Sequence, residues 1–84
     1  MNYIDTVTCP PKSTKTIVFD KPVLKILINN PSLRVSINDD ISHFFSGGGN
    51  FHVSFINGIN KINFTNVNEE QAAYPSIIVE EWGN

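Results

Sequence analysis

Apolar and polar residues alternate in short runs along this chain, with a period of two instead of the longer period of a helix. Leu33–Asn38 (LRVSIN) is the cleanest run: Leu33, Val35 and Ile37 point inward, and Arg34, Ser36 and Asn38 point outward. Thr14–Asp20 (TKTIVFD) sets Ile17 and Phe19 against Thr16 and Val18. Val23–Asn29 (VLKILIN) carries Leu24, Ile26 and Ile28 on one side and Val23 and Leu27 on the other, which predicts a central strand buried on both faces. Ser76–Trp82 (SIIVEEW) reads as a final strand. Tyr3–Val7 reads as a short one that Pro10-Pro11, lacking amide donors, would stop.

The turns are read from residues that tolerate unusual backbone angles. Asn57-Gly58 is the strongest short-range signal for a two-residue type I′ turn, in which both central residues have positive φ. That turn would pair Ile56 with Ile59, Phe55 with Asn60, Val53 with Ile62 and Phe51 with Phe64. It would place Phe51, Val53, Phe55, Ile62 and Phe64 on one face, and His52, Ser54, Lys61 and Asn63 on the other. Lys21-Pro22 breaks one run, Asn29-Asn30-Pro31-Ser32 predicts a second hairpin, and Asp39-Asp40 turns the chain again. Gly47-Gly48-Gly49 marks a loop or a close backbone approach, and Thr65–Pro75 a loop with one helical turn near Glu69–Ala73.

Composition supports the same class. Ile, Val, Asn and Phe dominate, Ala occurs only at Ala72 and Ala73, and Leu only at Leu24, Leu27 and Leu33. At 84 residues there is room for one small core. The expectation is an all-β single domain, an antiparallel β-sandwich or jelly-roll-like barrel of six or seven short strands over residues 14–84. An extended N-terminal arm over residues 1–13 precedes it.

Charge and cysteine content exclude several functions. A net charge of −2 argues against nucleic acid as the main partner. Charge is unevenly placed: Lys12, Lys15, Lys21, Lys25 and Arg34 dominate the first half, and Asp39, Asp40, Glu69, Glu70, Glu80 and Glu81 the second. Cys9 is the only cysteine, so no intrachain disulfide or thiol pair exists. The start, MNYIDTVTCPPK, has neither the basic residues nor the apolar run of a signal peptide, and no stretch is long enough to span a bilayer. Synthesis in a reducing cytoplasm is expected.

No motif points to catalysis or a cofactor. GGGN lacks the Gly-Lys-Ser/Thr of a phosphate loop and opens no helix. Asp39, Asp40 and His43 could be read as metal ligands, but a metal needs three or four convergent donors, and a turn followed by a surface histidine explains them better. Aromatic residues off the core pattern are the better binding candidates: Tyr3, Phe44, Phe45, Tyr74 and Trp82.

The arm Met1–Ser13, the strand NPSLRVSI, the Gly-rich loop leading to FHVSFINGINKINFTN and the terminal IIVEEWGN resemble the small β-sandwich virion proteins of tailed bacteriophages. The resemblance implies a non-enzymatic structural protein of the particle, a capsid decoration or head or tail appendage subunit, present in many copies. Its arm and strand edges would bind neighbouring subunits, itself included. It implies no cofactor and no catalytic residue. Two other functions fit the residues: a carbohydrate- or receptor-binding module using Trp82, Tyr74 and Phe44, and a small inhibitor of a host protein using the acidic second half.

Overall fold

The computed structural model describes residues 3–83, with side chains for all of these except 41–44. It is all-β: β1 (Ile4–Thr6), β2 (Ser13–Ile37), β3 (Asp40–Asn66) and β4 (Ser76–Trp82). They form one antiparallel sheet in the order β1-β4-β2-β3. The expected six or seven strands of a sandwich or barrel are therefore replaced by four, two of them very long.

The physical reason is that two expected hairpins, at Asn57-Gly58 and around Pro31, and the expected break at Lys21-Pro22 are bends inside β2 and β3. Near Pro22, four residues of β2 (19–22) face one residue of β3, and four residues of β3 (55–58) then face only Leu24. The two offsets cancel, so the register that pairs Val18 with Lys61 resumes at Lys25 and Ser54. Both strands thus bend at one corner, where Gly58 lies against Pro22 with φ +89°. At the second corner Ser32 and Leu33 oppose the single residue Gly47, which is a β-bulge. Ser32 has φ +91°, and the buried Asn30 clamps the bulge. Its amide donates to the carbonyls of Leu33 (2.8 Å) and Gly47 (2.9 Å), and its oxygen accepts from the Leu33 amide (2.9 Å).

The Asn57-Gly58 hairpin is not formed. Asn57 is absent from the positive-φ residues, and a type I′ turn needs both central residues there. Phe51 pairs with Ile28 and Val53 with Ile26, not with Phe64 and Ile62. The expected hairpin around Pro31 is likewise one continuous strand. The tight turn lies one residue before Asp39-Asp40: Asn38 and Asp39 have φ of 57° and 56°, and Ile37 pairs with Asp40. Asn38 ties that turn to the first corner. Its oxygen accepts from the amides of Asn60 (2.7 Å) and Lys61 (3.2 Å), and its amide donates to the Gly58 carbonyl (3.0 Å). Asp39 receives hydrogen bonds from Lys61 and from Asn63, in that order of effect, which hold its carboxyl below the usual carboxylate range.

These bends let the β2–β3 ribbon fold back on itself. Residues Arg34–Ile37 pair with β3 on both sides, Val35 for example with Phe45 and with Phe64. Val35, Ile37, Ile62 and Phe64 thereby join Ile26, Ile28, Ile77 and Val79 in one buried core. The expected central strand is found: Ile26 pairs with Val53 on one side and Val79 on the other. A register shift at Lys25, however, puts Val23 in the core and leaves Leu24 half-buried.

Residues 3–13, expected as an arm, lie along β4 and the 66–75 loop of the same chain. Ile4 pairs with Ile78, Cys9 bridges Ala73, and the Cys9 side chain is buried. The helical turn expected near Glu69–Ala73 is a bend: Asn68 accepts the amides of Glu70 (2.8 Å) and Gln71 (2.9 Å) as an N-cap would, but the Ala73 amide donates to the Cys9 carbonyl (3.0 Å) and the Gln71 carbonyl accepts from Asn66 (2.9 Å), so no helix follows.

The corner at Gly58 predicts a sharp contrast between glycines. A Cβ there would stand 2.5 Å from Pro22 Cβ, whereas one at Gly47, also at positive φ, would meet nothing within 4 Å. Gly58→Ala is expected to lower unfolding stability by about 2–4 kcal/mol and Gly47→Ala by only about 1 kcal/mol, measured by urea denaturation.

Candidate functional site

β1 and β4 run side by side, and the end of β4 pairs with β2 through Trp82 and Val23. That arrangement gathers three rings at one end of the sheet. Tyr3 and Trp82 lie 6.4 Å apart, Tyr3 and Phe19 6.2 Å, and Phe19 and Trp82 6.2 Å, all edge-on. Each such pair contributes about 0.5–1.5 kcal/mol beyond its buried area. Phe19 is the buried member, and Tyr3 is 40% exposed. Val18 is 70% exposed beside them, and together with Asp20 and Lys21 the cluster lines a shallow cleft of about 390 Å³.

The polar groups of this cleft are arranged around the rings. The Lys21 ammonium stands 5.2 Å from the centre of the Trp82 ring, a cation–π contact that occupies one face of the indole. The Tyr3 hydroxyl donates to Asp5 (3.1 Å); partial burial first, and then this bond to a carboxylate, push the phenol above its ordinary range. Tyr3 is thus held as a neutral donor with an apolar body. The result is an apolar, aromatic-anchored end with a charged rim. The next residue, Ile4, turns to the opposite face of the sheet, 68% exposed in a row with the half-buried Ile78 and Leu27, and is not part of the cleft.

Of the four aromatic candidates whose side chains are described, the structure unites only Tyr3 and Trp82. Phe45 packs on Phe51 at 4.7 Å, on the ribbon away from that pair. Tyr74, 62% exposed, lines a different cleft of about 560 Å³ with Pro31, Ser32 and Asn68. Tyr74 and Trp82 flank opposite ends of the seven-residue β4, which separates them by roughly 20 Å. The side chain of Phe44 lies outside the described residues, as does that of His43. The Tyr74 cleft has no buried polar side chain in want of a partner: Asn66 donates to the carbonyls of Cys9 (3.1 Å) and Gln71 (2.9 Å) and accepts from the Asn68 amide (3.0 Å).

Three contributors are not among the candidates that the sequence offers. Phe19 is a core residue that also floors the aromatic cluster. Alternation sets Val18 on the face opposite Ile17 and Phe19 but does not say which face is exposed. Lys21 had no signal, because its partner Trp82 is brought to it only by the β2–β4 pairing. Among the described residues, no group of three or more His, Cys, Asp or Glu could hold a metal ion. His52 instead sits 3.0 Å from Glu80, on the outward face of the sheet. No helix among the described residues is long and apolar enough to cross a membrane.

The cluster predicts unequal effects of two aromatic substitutions. Phe19→Ala empties a buried position beneath Tyr3 and Trp82 and is expected to cost about 3–5 kcal/mol. Tyr74→Ala, on an exposed loop, should change stability by no more than about 0.5 kcal/mol. Denaturation followed by the fluorescence of Trp82, the single tryptophan, checks both.

The chain matches no protein-family model, no curated protein and no solved structure.

Proposed function

We propose that this chain is a non-enzymatic structural subunit that works by binding neighbouring protein subunits through its surface. The setting is the one its resemblance implies, a phage particle in which it is a capsid decoration or head or tail appendage protein. The observation that supports this reading is the aromatic end. Tyr3 and Trp82 rest on a buried Phe19, with Val18 exposed beside them. Tyrosine and tryptophan held in place by a packed floor lose little conformational freedom on binding, and residues of these types dominate protein interfaces energetically. Apolar neighbours and a rim of Asp5, Asp20 and Lys21 match the usual division of an interface into a dry centre and a polar border.

A glycan platform fits the same residues less well. A sugar stacks its apolar face on an open ring, but the Lys21 ammonium already covers one face of Trp82. Tyr74, the second ring expected for such a platform, stands at the far end of β4.

Mass spectrometry of purified particles from the source is the direct test. The expected result is this chain in structural quantities, with occupancy reduced at least about tenfold by Val18→Lys, a change at an exposed position that should leave the fold intact. Absence from particles, or undiminished incorporation of the variant, contradicts the proposal. Specific binding on a glycan array that Trp82→Ala abolishes would favour the carbohydrate reading instead.

A further inference from the structure

The sheet has open edges, and they are not protected alike. Among the described residues, β1 pairs on one side only. It is three residues long, carries Asp5 and soon meets Pro10-Pro11. The 13–18 stretch of β2 also pairs on one side only, with residues 61–66. There Lys15 pairs with the buried Phe64, so it lies on the core-facing side of an edge strand. An inward-pointing charge at an edge obstructs the docking of another strand, because the newcomer would bury it.

The outer edge of β3 has no such device. Residues 48–54 pair with residues 25–31 of β2 and, among the described residues, with nothing on the other side. From Ile41 to Asn60 there is no Lys, Arg, Asp, Glu or Pro. The core-facing residues Phe51, Val53 and Phe55 are only half-buried, whereas His52 and Ser54 are exposed on the opposite face. A long, uncharged edge with a partly covered apolar row is the kind that pairs with a further strand.

We propose that the strand covering this edge is the same segment of a second copy, paired antiparallel about a twofold axis at Val53. Paired residues share a face of a sheet, so the register must match apolar with apolar. With the axis at Val53, Phe51 meets Phe55 of the second copy twice, Val53 meets its own counterpart, and His52 meets Ser54. No like charges oppose one another, and the His52–Glu80 contact stays on the outer face. An axis at His52 would set two imidazoles against each other. The pairing joins two four-stranded sheets into one continuous sheet and closes the unprotected edge in an isologous contact. It uses none of Tyr3, Val18, Phe19 or Trp82, so it leaves the aromatic end available and goes beyond the function proposed for that end.

Light scattering of the full chain across a dilution series, combined with disulfide trapping, tests this. The wild type is expected to give a dimer mass that falls towards the monomer on dilution. Val53→Cys is expected to form a disulfide-linked dimer under mild oxidation, and Thr16→Cys on the other edge is not; the native Cys9 is buried and does not interfere. The double variant His52→Lys/Ser54→Lys should be monomeric. It sets lysines opposite each other twice at exposed positions while keeping a cation beside Glu80. Unchanged circular dichroism would show that this variant is folded. A wild type that is monomeric at every concentration overturns the proposal, as does a dimer trapped through Thr16→Cys or left intact by the lysine pair. None of these results bears on particle incorporation through the aromatic end, so the two proposals fail separately.

Discussion

The double pairing of Arg34–Ile37 is the contact on which the rest of this molecule depends. A two-stranded ribbon in water is marginal by itself, since it has nothing against which to bury either face. By folding back, the β2–β3 ribbon presses its own tip against its own base, so that Val35 lies between Phe45 and Phe64. That closure brings Val35, Ile37, Ile62 and Phe64 over Ile26, Ile28, Ile77 and Val79, and an 84-residue chain obtains a core from what is essentially one long hairpin plus two short strands. Asn38 fastens the tip to the corner with three hydrogen bonds. The corner itself exists because Pro22 and Gly58 yield together and the ladder recovers its register beyond them.

How much of this was legible follows from which interactions are local. Alternation was legible: Phe51, Val53, Ile62 and Phe64 face the core as read, because a period of two survives whatever strand lies opposite. The partner strands were not. Asn57-Gly58 has ideal turn chemistry, yet the chain uses only the freedom of Gly58, and for a bend against Pro22. Asn38-Asp39, chemically a weaker signal, makes the tight turn because its side chains bond to Gly58, Asn60, Lys61 and Asn63 across the ribbon. Such cross-ribbon bonds leave no trace in the local sequence. Glycine, proline and asparagine mark where a chain can change direction; tertiary contacts decide whether it reverses or merely bends.

The candidate site shows the same division. Tyr3 and Trp82 were singled out as aromatics off the core pattern, and the structure places them together because β1 and β4 are neighbours. Tyr74 and Phe45 met the same criterion but stand elsewhere, since the criterion records exposure and not position. The edges carry further information. Lys15 on the core side of one edge and the uncharged run of 41–60 on another differ in a way that composition alone hides. Read with the register, that difference separates a face kept clear of other strands from one open to them.

The claim beneath all of this is the path of the ribbon, and cross-strand proton contacts in solution NMR test it most directly. The account predicts backbone contacts from Val35 to both Phe45 and Phe64, and from Val53 to Ile26. Contacts from Val53 to Ile62 and from Phe51 to Phe64, with Val35 touching one strand only, would contradict it and restore a tight hairpin at Asn57-Gly58.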